Sequence, residues 1–450
     1  MFDQTDIKLS DSFNYSRLFK FALPSIIMVL VTTIYGVVDG IIISNYTDVE
    51  HFAALNLILP YITLLGAVGL MLGTGGSALV GKTLGEGQSI QANKIFSLLT
   101  YTTFAIGVFL GIFGLLTSDS VANILGADKA MQELSFEYSG ILFIFLPCYV
   151  LQLYFQSLLT TAERPTLALQ ITLLAGIVNI LLDILFVVYL KLGLSGAACA
   201  TGISQMLGGF LPLLYFILYS KKLGVNIKLG AAIWEPHSIY KSCLNGLSEW
   251  LMSVSLAIVS FIYYYILLSE DRGKIGVDTY GVLLYFSYIF IAVSVGFSRG
   301  IAPVISYHFG ANDKHELHNL LIRGLLIVFA LNIISGIAAQ FFSAPLVNIF
   351  VGHDKDLYEY TVGAFRIYSL HFFVTGFNIY ISAFFTALNN GRYSGWISVL
   401  RTIFFESISI LTLWKVLGVD NIWWGGTLAE SLTILIAFGF LHLKKDFYGY

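Results

Sequence analysis

Charge is the scarcest ingredient of this sequence. Charged residues make up 11% of its 450 positions, less than half of the roughly one quarter usual in soluble domains. An ordinary soluble fold is thereby excluded. There is no basic run or stripe, and the formal net charge is only -3, so nothing offers a surface for nucleic acid. Cysteine is almost missing as well: Cys148, Cys199 and Cys243 lie far apart inside apolar runs with no CxxC spacing, which leaves neither a disulfide framework nor a thiolate metal site. No cofactor motif stands out. The first seventeen residues are polar and mixed in charge, and the first apolar run is too long for a signal-peptide core. The first helix is therefore expected to be retained.

What is abundant is apolar surface. Hydrophobic residues reach 57% and aromatic ones 15%. Crossing a bilayer takes about 20 mostly apolar residues in a helix, and twelve such runs are found, near 18–43, 52–79, 95–117, 136–160, 167–189, 196–219, 239–268, 280–305, 317–342, 361–388, 395–416 and 422–442. Continuous apolarity, as over 57–72, lacks the period of two that a barrel strand requires. The fold class predicted is an all-α polytopic membrane protein of about twelve transmembrane helices in two related six-helix lobes, with residues 1–219 and 239–450 as lobes and 220–238 as a cytoplasmic connector. A repeat supports the halves: the second helix runs into Gly75–Gly85 and the eighth into Gly300–Gly310, both glycine-marked turns. In such parallel repeats, substrate sites lie between the halves.

Loop charge sets the orientation. Fifteen of the 24 Lys and Arg residues fall on the side holding both termini, six fall opposite, and Arg299, Arg366 and Arg401 lie in or at the ends of spans. The positive-inside rule then places both termini in the cytoplasm of a plasma (inner) membrane protein. The segment Gly76–Thr83 satisfies the phosphate-loop pattern GxxxxGK[ST], but that loop works between a strand and a helix. Here a transmembrane helix precedes it, so nucleotide binding is rejected, and no nucleotide-binding domain is present to drive transport. An ion gradient is the remaining internal energy source.

Ionisable groups within spans are costly and are functional hypotheses by default. Asp39 and Asp183 lie near the outer ends of the first and fifth helices, Asn179 sits one turn from Asp183 on the same face, and Thr201 follows the outer start of the sixth helix. At 1.5 Å per residue, all four lie roughly 6–9 Å deep. One shared oxygen-rich site is the economical reading. No Lys or Arg of the first six helices lies at that level, so each carboxylate must be protonated, ion-bound or wet. In the second half, Glu249 and Glu430 lie deep enough to contact substrate or a second ion, whereas Arg366, Arg401 and Glu406 read as structural and His371 as a satisfied core histidine. Gly36 and Gly40 bracket Asp39 in a GxxxG spacing, which reads as close helix packing. Pro24, fifteen residues before Asp39, gives the first helix a place to bend.

Several short motifs in order resemble one family. Leu23-Pro24 with Val38-Asp39-Gly40, Asn179-Ile-Leu-Leu-Asp183, Gly196-Ala-Ala-Cys-Ala-Thr201, Gly246-Leu-Ser-Glu249-Trp250, and Trp423-Trp-Gly with Ala429-Glu430-Ser431 together resemble the multidrug and toxic compound extrusion (MATE) family. Gln156 stands where that family often has Asn, and Asn245 where it usually has Pro. The resemblance implies that Asp39, Asn179, Asp183 and Thr201 form a proton- or sodium-linked site, which would also be the place for Na+. It implies a secondary antiporter, not an enzyme, that exports organic, cationic and amphipathic compounds by alternating access in exchange for H+ or Na+. Glu249, Tyr35, Tyr138, Gln156 and Glu430 are the candidates for substrate or a second ion, and Tyr154 and Phe155 are further expected cavity aromatics. A monomer in the bilayer with small-molecule substrates is expected. A lipid-linked saccharide flippase is the nearest alternative, though basic lumen residues would suit its pyrophosphate better, and an intramembrane enzyme is a more distant one.

Overall fold

A computed structural model describes residues 7–218, 226–270, 273–352 and 354–450. Twelve spans cross it, in the order expected. The first six helices are α1 (Tyr15–Tyr46), α2 (Val49–Gly85), α3 (Ser89–Ile124), α4 (Lys129–Thr161), α5 (Pro165–Asp183, continued by a π-helix over Ile184–Tyr189) and α6 (Gly193–Leu218). In the second half come α7 (Pro236–Leu268), α8 (Gly273–Gly310), α9 (Lys314–Phe341) and a short α10 (Ser343–Val351). The tenth span is α11 (Lys355–Tyr368) joined through a 3-10 turn to α12 (Phe372–Ala387). The eleventh is α13 (Gly391–Ser398), a π-helix over Val399–Glu406 and α14 (Ser407–Leu417), and the last ends in α15 (Gly425–Tyr448).

Most helices outrun the apolar stretches that locate them. The loop expected around 44–51 shrinks to two residues, because α1 runs to Tyr46 and α2 starts at Val49; polar residues at a helix end face headgroups and water and need not end the helix. The connector expected over 220–238 is described only from residue 226, and Lys221, Lys222 and Arg272 also lie outside the described residues. Its described part lies along α3, where the Lys228 and Gly230 N–H groups donate to Asn93 Oδ1 (2.7 Å) and Ser97 Oγ (2.9 Å). Apolar side chains such as Phe109, Leu116, Phe261 and Leu435 stand exposed on the outside, an arrangement suited to lipid rather than water.

The lobes share a core at one end only. At the end holding both termini, α1 residues Leu18, Phe21, Ala22 and Ile26 join one buried cluster with Phe297 and Ile301 of α8 and with α9, α12 and α15. Towards the other end, each lobe closes on a core of its own, around Ile58, Tyr138 and Phe143 in the first and around Tyr263, Tyr280 and Trp423 in the second. Two glycines make the terminal seam possible. A Cβ on Gly75 would sit 1.9 Å from the Ser242 carbonyl oxygen, and one on Gly246 would sit 1.8 Å from that of Met71. Any side chain there must separate α2 from α7. The stretch Gly76–Thr83 that mimics a phosphate loop is helical throughout.

Asn245, standing where a proline was the family expectation, belongs to the same seam. Its amide donates to Asn389 Oδ1 (2.8 Å) and accepts from the Gly391 N–H (3.3 Å), while Asn389 donates to the Ala78 carbonyl of the first lobe (3.0 Å). A proline could make neither of the Asn245 bonds. The amino-terminal segment straps the same end. The Leu9 N–H donates to Glu163 of the first lobe (2.7 Å), and the Phe13 N–H donates to Glu316 of the second (2.7 Å). Leu9 and Phe13 are buried between them.

Candidate functional site

Because the lobes meet at one end, a cavity of 490 Å³ remains between them in the other half. It is bounded by α1 from Val29 to Gly40, by α2 near Leu59, and by α7, α8, the tenth span, the π-helical part of the eleventh and the start of α15. Gly36 and Gly40 are part of this wall. A Cβ on Gly36 would meet nothing within 4 Å, and one on Gly40 would meet only the Tyr285 hydroxyl, at 3.8 Å. The GxxxG spacing thus does not serve close helix packing, as expected from the sequence. It keeps the cavity open beside Asp39.

The four polar residues read from helix depth come together in the first lobe. Asp39 and Asp183 face each other closely enough for their charges to interact, and the Tyr138 hydroxyl lies beside both and beside Thr201. Asn179 donates from Nδ2 to Thr201 Oγ1 (3.4 Å). Asn179 and Asp183 are buried at 1% and 0% exposure, whereas Asp39 reaches the cavity. While both carboxyls are ionised, four oxygens in this group have no donor among the described residues: Asp39 Oδ1, Asn179 Oδ1 and both of Asp183, the two acids lying close enough to share a proton. Unsatisfied acceptors at such depth cost roughly 1–3 kcal/mol each, more for charged groups. Among the described residues no basic side chain supplies a counter-charge. The chemistry of this set, hard oxygen acceptors around two carboxyls that repel each other, fits a proton or a small hard cation. Immediately after Asp183 the helix widens into the π segment. Single π turns of this kind occur often at functional sites, and apolar periodicity gives no signal for them.

The second lobe places its acids differently. Glu249 is bound by Arg299, Oε2 to Nη2 at 2.5 Å, in a small crevice beside the main cavity. Glu430 lies on the cavity wall, largely buried, with its carboxylate engaged: Arg401 Nε donates to Oε1 (2.6 Å), Thr375 Oγ1 to Oε1 (3.0 Å) and Asn378 Nδ2 to Oε2 (2.6 Å). Arg401 and Glu406, expected to be structural, both face the cavity. His371 is held through Nδ1 by the Tyr368 carbonyl, as a core histidine would be, yet it also lies on the cavity wall. Tyr138 lines the cavity and Tyr35 packs towards Gly176 of α5. Gln156 lies in a separate crevice near Arg299. Tyr154 and Phe155, expected as cavity aromatics, are instead fully buried in the first-lobe core, where helix α4 turns that face to α3 and α6. Arg299, Tyr285, Tyr288 and Tyr368 also form the wall, and the sequence carries no local signal for them, since their positions follow from how α8 and the tenth span pack.

Comparison with known proteins gives a consistent picture. The sequence model of the MatE family matches residues 24–185 and 250–408. The chain is similar to the multidrug export protein MepA of Staphylococcus aureus (strain MSSA476), at 25% identity over 435 residues, which cover 96% of this chain and 94% of that one. Among solved structures it is similar to a MATE protein in complex with MaL6 (19% identity, TM-score 0.91, 98% of both chains). It is equally similar to a multidrug resistance MATE family transporter of the MOP superfamily in an outward-facing conformation (20% identity, TM-score 0.91, 98% of both chains).

Proposed function

The chain belongs to the MatE family of membrane transporters, and from that premise we propose that it exports small organic cations from the cytoplasm in exchange for H+ or Na+ bound by Asp39 and Asp183. The observation that carries this reading is the set of four buried oxygens that lack a protein donor while the two facing carboxyls are ionised. In a medium of low dielectric two neighbouring carboxylates cannot both remain ionised without compensation. A bound proton or sodium ion removes one unit of negative charge from the group and satisfies its acceptors. Asn179 and Tyr138 are each held by Thr201, which fixes the polar wall beside the two carboxyls.

Loop charge supports a topology with both termini in the cytoplasm. The cavity then faces outward, and the seam of α1 and α2 against α7 and α8 is the closed inner gate. Arrival of the coupling cation beside the cavity changes the charge seen by a bound organic cation, which weakens its binding in this outward-open state. A cation can drive the inward–outward exchange only by binding the two states with different affinity, and the open glycine face of α1 beside Asp39 leaves this region room to repack. Nothing in the cavity favours a lipid-linked pyrophosphate, because Arg299 and Arg401 are each already paired with a glutamate.

The test is reconstitution in liposomes with proton and sodium gradients imposed separately. Uptake of tetraphenylphosphonium against its own gradient, driven by one of the two and abolished when that one is collapsed, is the expected result. Equal movement with no gradient of either ion would overturn the antiport reading.

A further inference from the structure

The second lobe holds two buried Arg–Glu pairs and one acid left over. Glu249 is neutralised by Arg299 and Glu430 by Arg401, and the second pair is further closed by Thr375 and Asn378. Glu406 makes no ion pair or hydrogen bond with any described residue, and it faces the cavity. It therefore leaves on the second-lobe wall one carboxyl that no basic side chain pairs with, free to take a cation as its counter-charge.

The local helix geometry places it there. Arg401 and Glu406 are five residues apart, a spacing that in an α-helix sets two side chains about 140° from each other. The eleventh span is π-helical from Val399 to Glu406, and its i→i+5 repeat brings the two to the same wall. Glu430 then takes Arg401, and Glu406 is left to the cavity. Across from it the start of α15 carries Gly426: a Cβ there would come 3.8 Å from Glu406 Oε1 and 3.7 Å from His371 Nδ1. Without that carbon, the carboxylate has an open approach. Tyr285, Tyr288 and Tyr368 and the aliphatic Leu256 and Ile291 line the same cavity, and aromatic faces favour a desolvated cation as carboxylates do.

We propose that Glu406 is the residue that binds the positive charge of the transported molecule, so that substrate charge is recognised on the second lobe and coupling charge on the first. The proposal rests on the reading of the chain as an exporter of organic cations. It assigns the ligand class as a monovalent, amphipathic cation whose charge sits against Glu406 and whose apolar body fills the space towards Val29 and Leu59. Glu249 and Glu430, the acids that depth along the helices singles out, serve instead to hold Arg299 and Arg401.

Equilibrium binding of radiolabelled tetraphenylphosphonium to the full chain in lipid nanodiscs tests this, with the uncharged triphenylphosphine oxide as a second probe. Glu406→Gln is expected to weaken binding of the cation at least tenfold and leave that of the neutral compound within twofold; Glu406→Asp, which keeps the charge, is expected to retain most of the affinity. Unchanged affinity of monodisperse Glu406→Gln for the cation would overturn the assignment while the export reading stood. Equal losses for the cation and the neutral compound would also overturn it, since they mean that the side chain shapes the cavity rather than its charge. If the wild-type chain bound the neutral compound alone, export of organic cations itself would fail, and this assignment with it.

Discussion

Asn179 contributes one neutral acceptor to the first-lobe group and is an informative single position in it. Its amide nitrogen holds Thr201, leaving its Oδ1 as one of the four unpartnered acceptors. Replacing it with Ala removes that acceptor and releases Thr201, but leaves both carboxyls in place. Coupling-ion affinity is expected to drop about tenfold, equivalent to ~1.4 kcal/mol and within the range for one hydrogen-bonding group; a titration of intrinsic tryptophan fluorescence with the driving ion checks this. A complete loss would mean that Asn179 organises the carboxyls rather than assisting them. The meeting of Asp39, Asn179, Asp183 and Thr201 was legible because depth along a straight helix translates directly into height in the membrane. Glu406 was not. Its reach into the cavity depends on a π segment that α-helical counting sends to another face, and nothing in Val399–Glu406 announces a change of helical repeat. Gln156 shows the opposite limit, since depth gives height but not azimuth, and its helix turns it into a side crevice.

At the level of helices, the seam between α2 and α7 decides which end of the molecule is closed. Gly75 and Gly246 allow backbone-to-backbone approach, and the partner atoms are carbonyl oxygens that cannot rotate away as a flexible side chain could. Gly246→Ala should therefore push α7 off α2 and disfavour the closed seam. An increase in the alkylation rate of a cysteine introduced at Ser242, which is fully buried on this face, measures it; the expected rise is at least fivefold relative to the same cysteine with Gly246 intact. No change in that rate would mean the seam is not held by close packing at this point. The glycine-marked ends of the second and eighth spans were visible in the sequence as a repeat, but their partners were not, because Gly75, Gly81, Gly85, Gly300 and Gly310 meet the other lobe and one-dimensional spacing carries no information across lobes. The amino-terminal strap was hidden for the same reason: Leu9 and Phe13 lie in a short polar segment, and only the positions of Glu163 and Glu316 explain their burial.

Over the whole molecule, two charge systems stand on opposite sides of one cavity, acceptor-rich and unpaired in the first lobe, mostly ion-paired in the second. Among the described residues the apolar cores join at the terminal end, and no core crosses the cavity, which is the arrangement that the proposed alternating access requires of two bodies. Twelve spans could be read from hydropathy, since each span must satisfy the bilayer by itself. Which faces look inward could not, because in a polytopic bundle both the lipid side and the packed side are apolar. The central claim is that Asp39 and Asp183 together carry the coupling cation, and transport by the double variant Asp39→Asn/Asp183→Asn tests it most directly. Reconstituted at wild-type abundance and with the same orientation in liposomes, that variant should still bind tetraphenylphosphonium, and its transport should no longer respond to either ion gradient. Gradient-driven accumulation at the wild-type rate would contradict the account and return both carboxyls to a packing role.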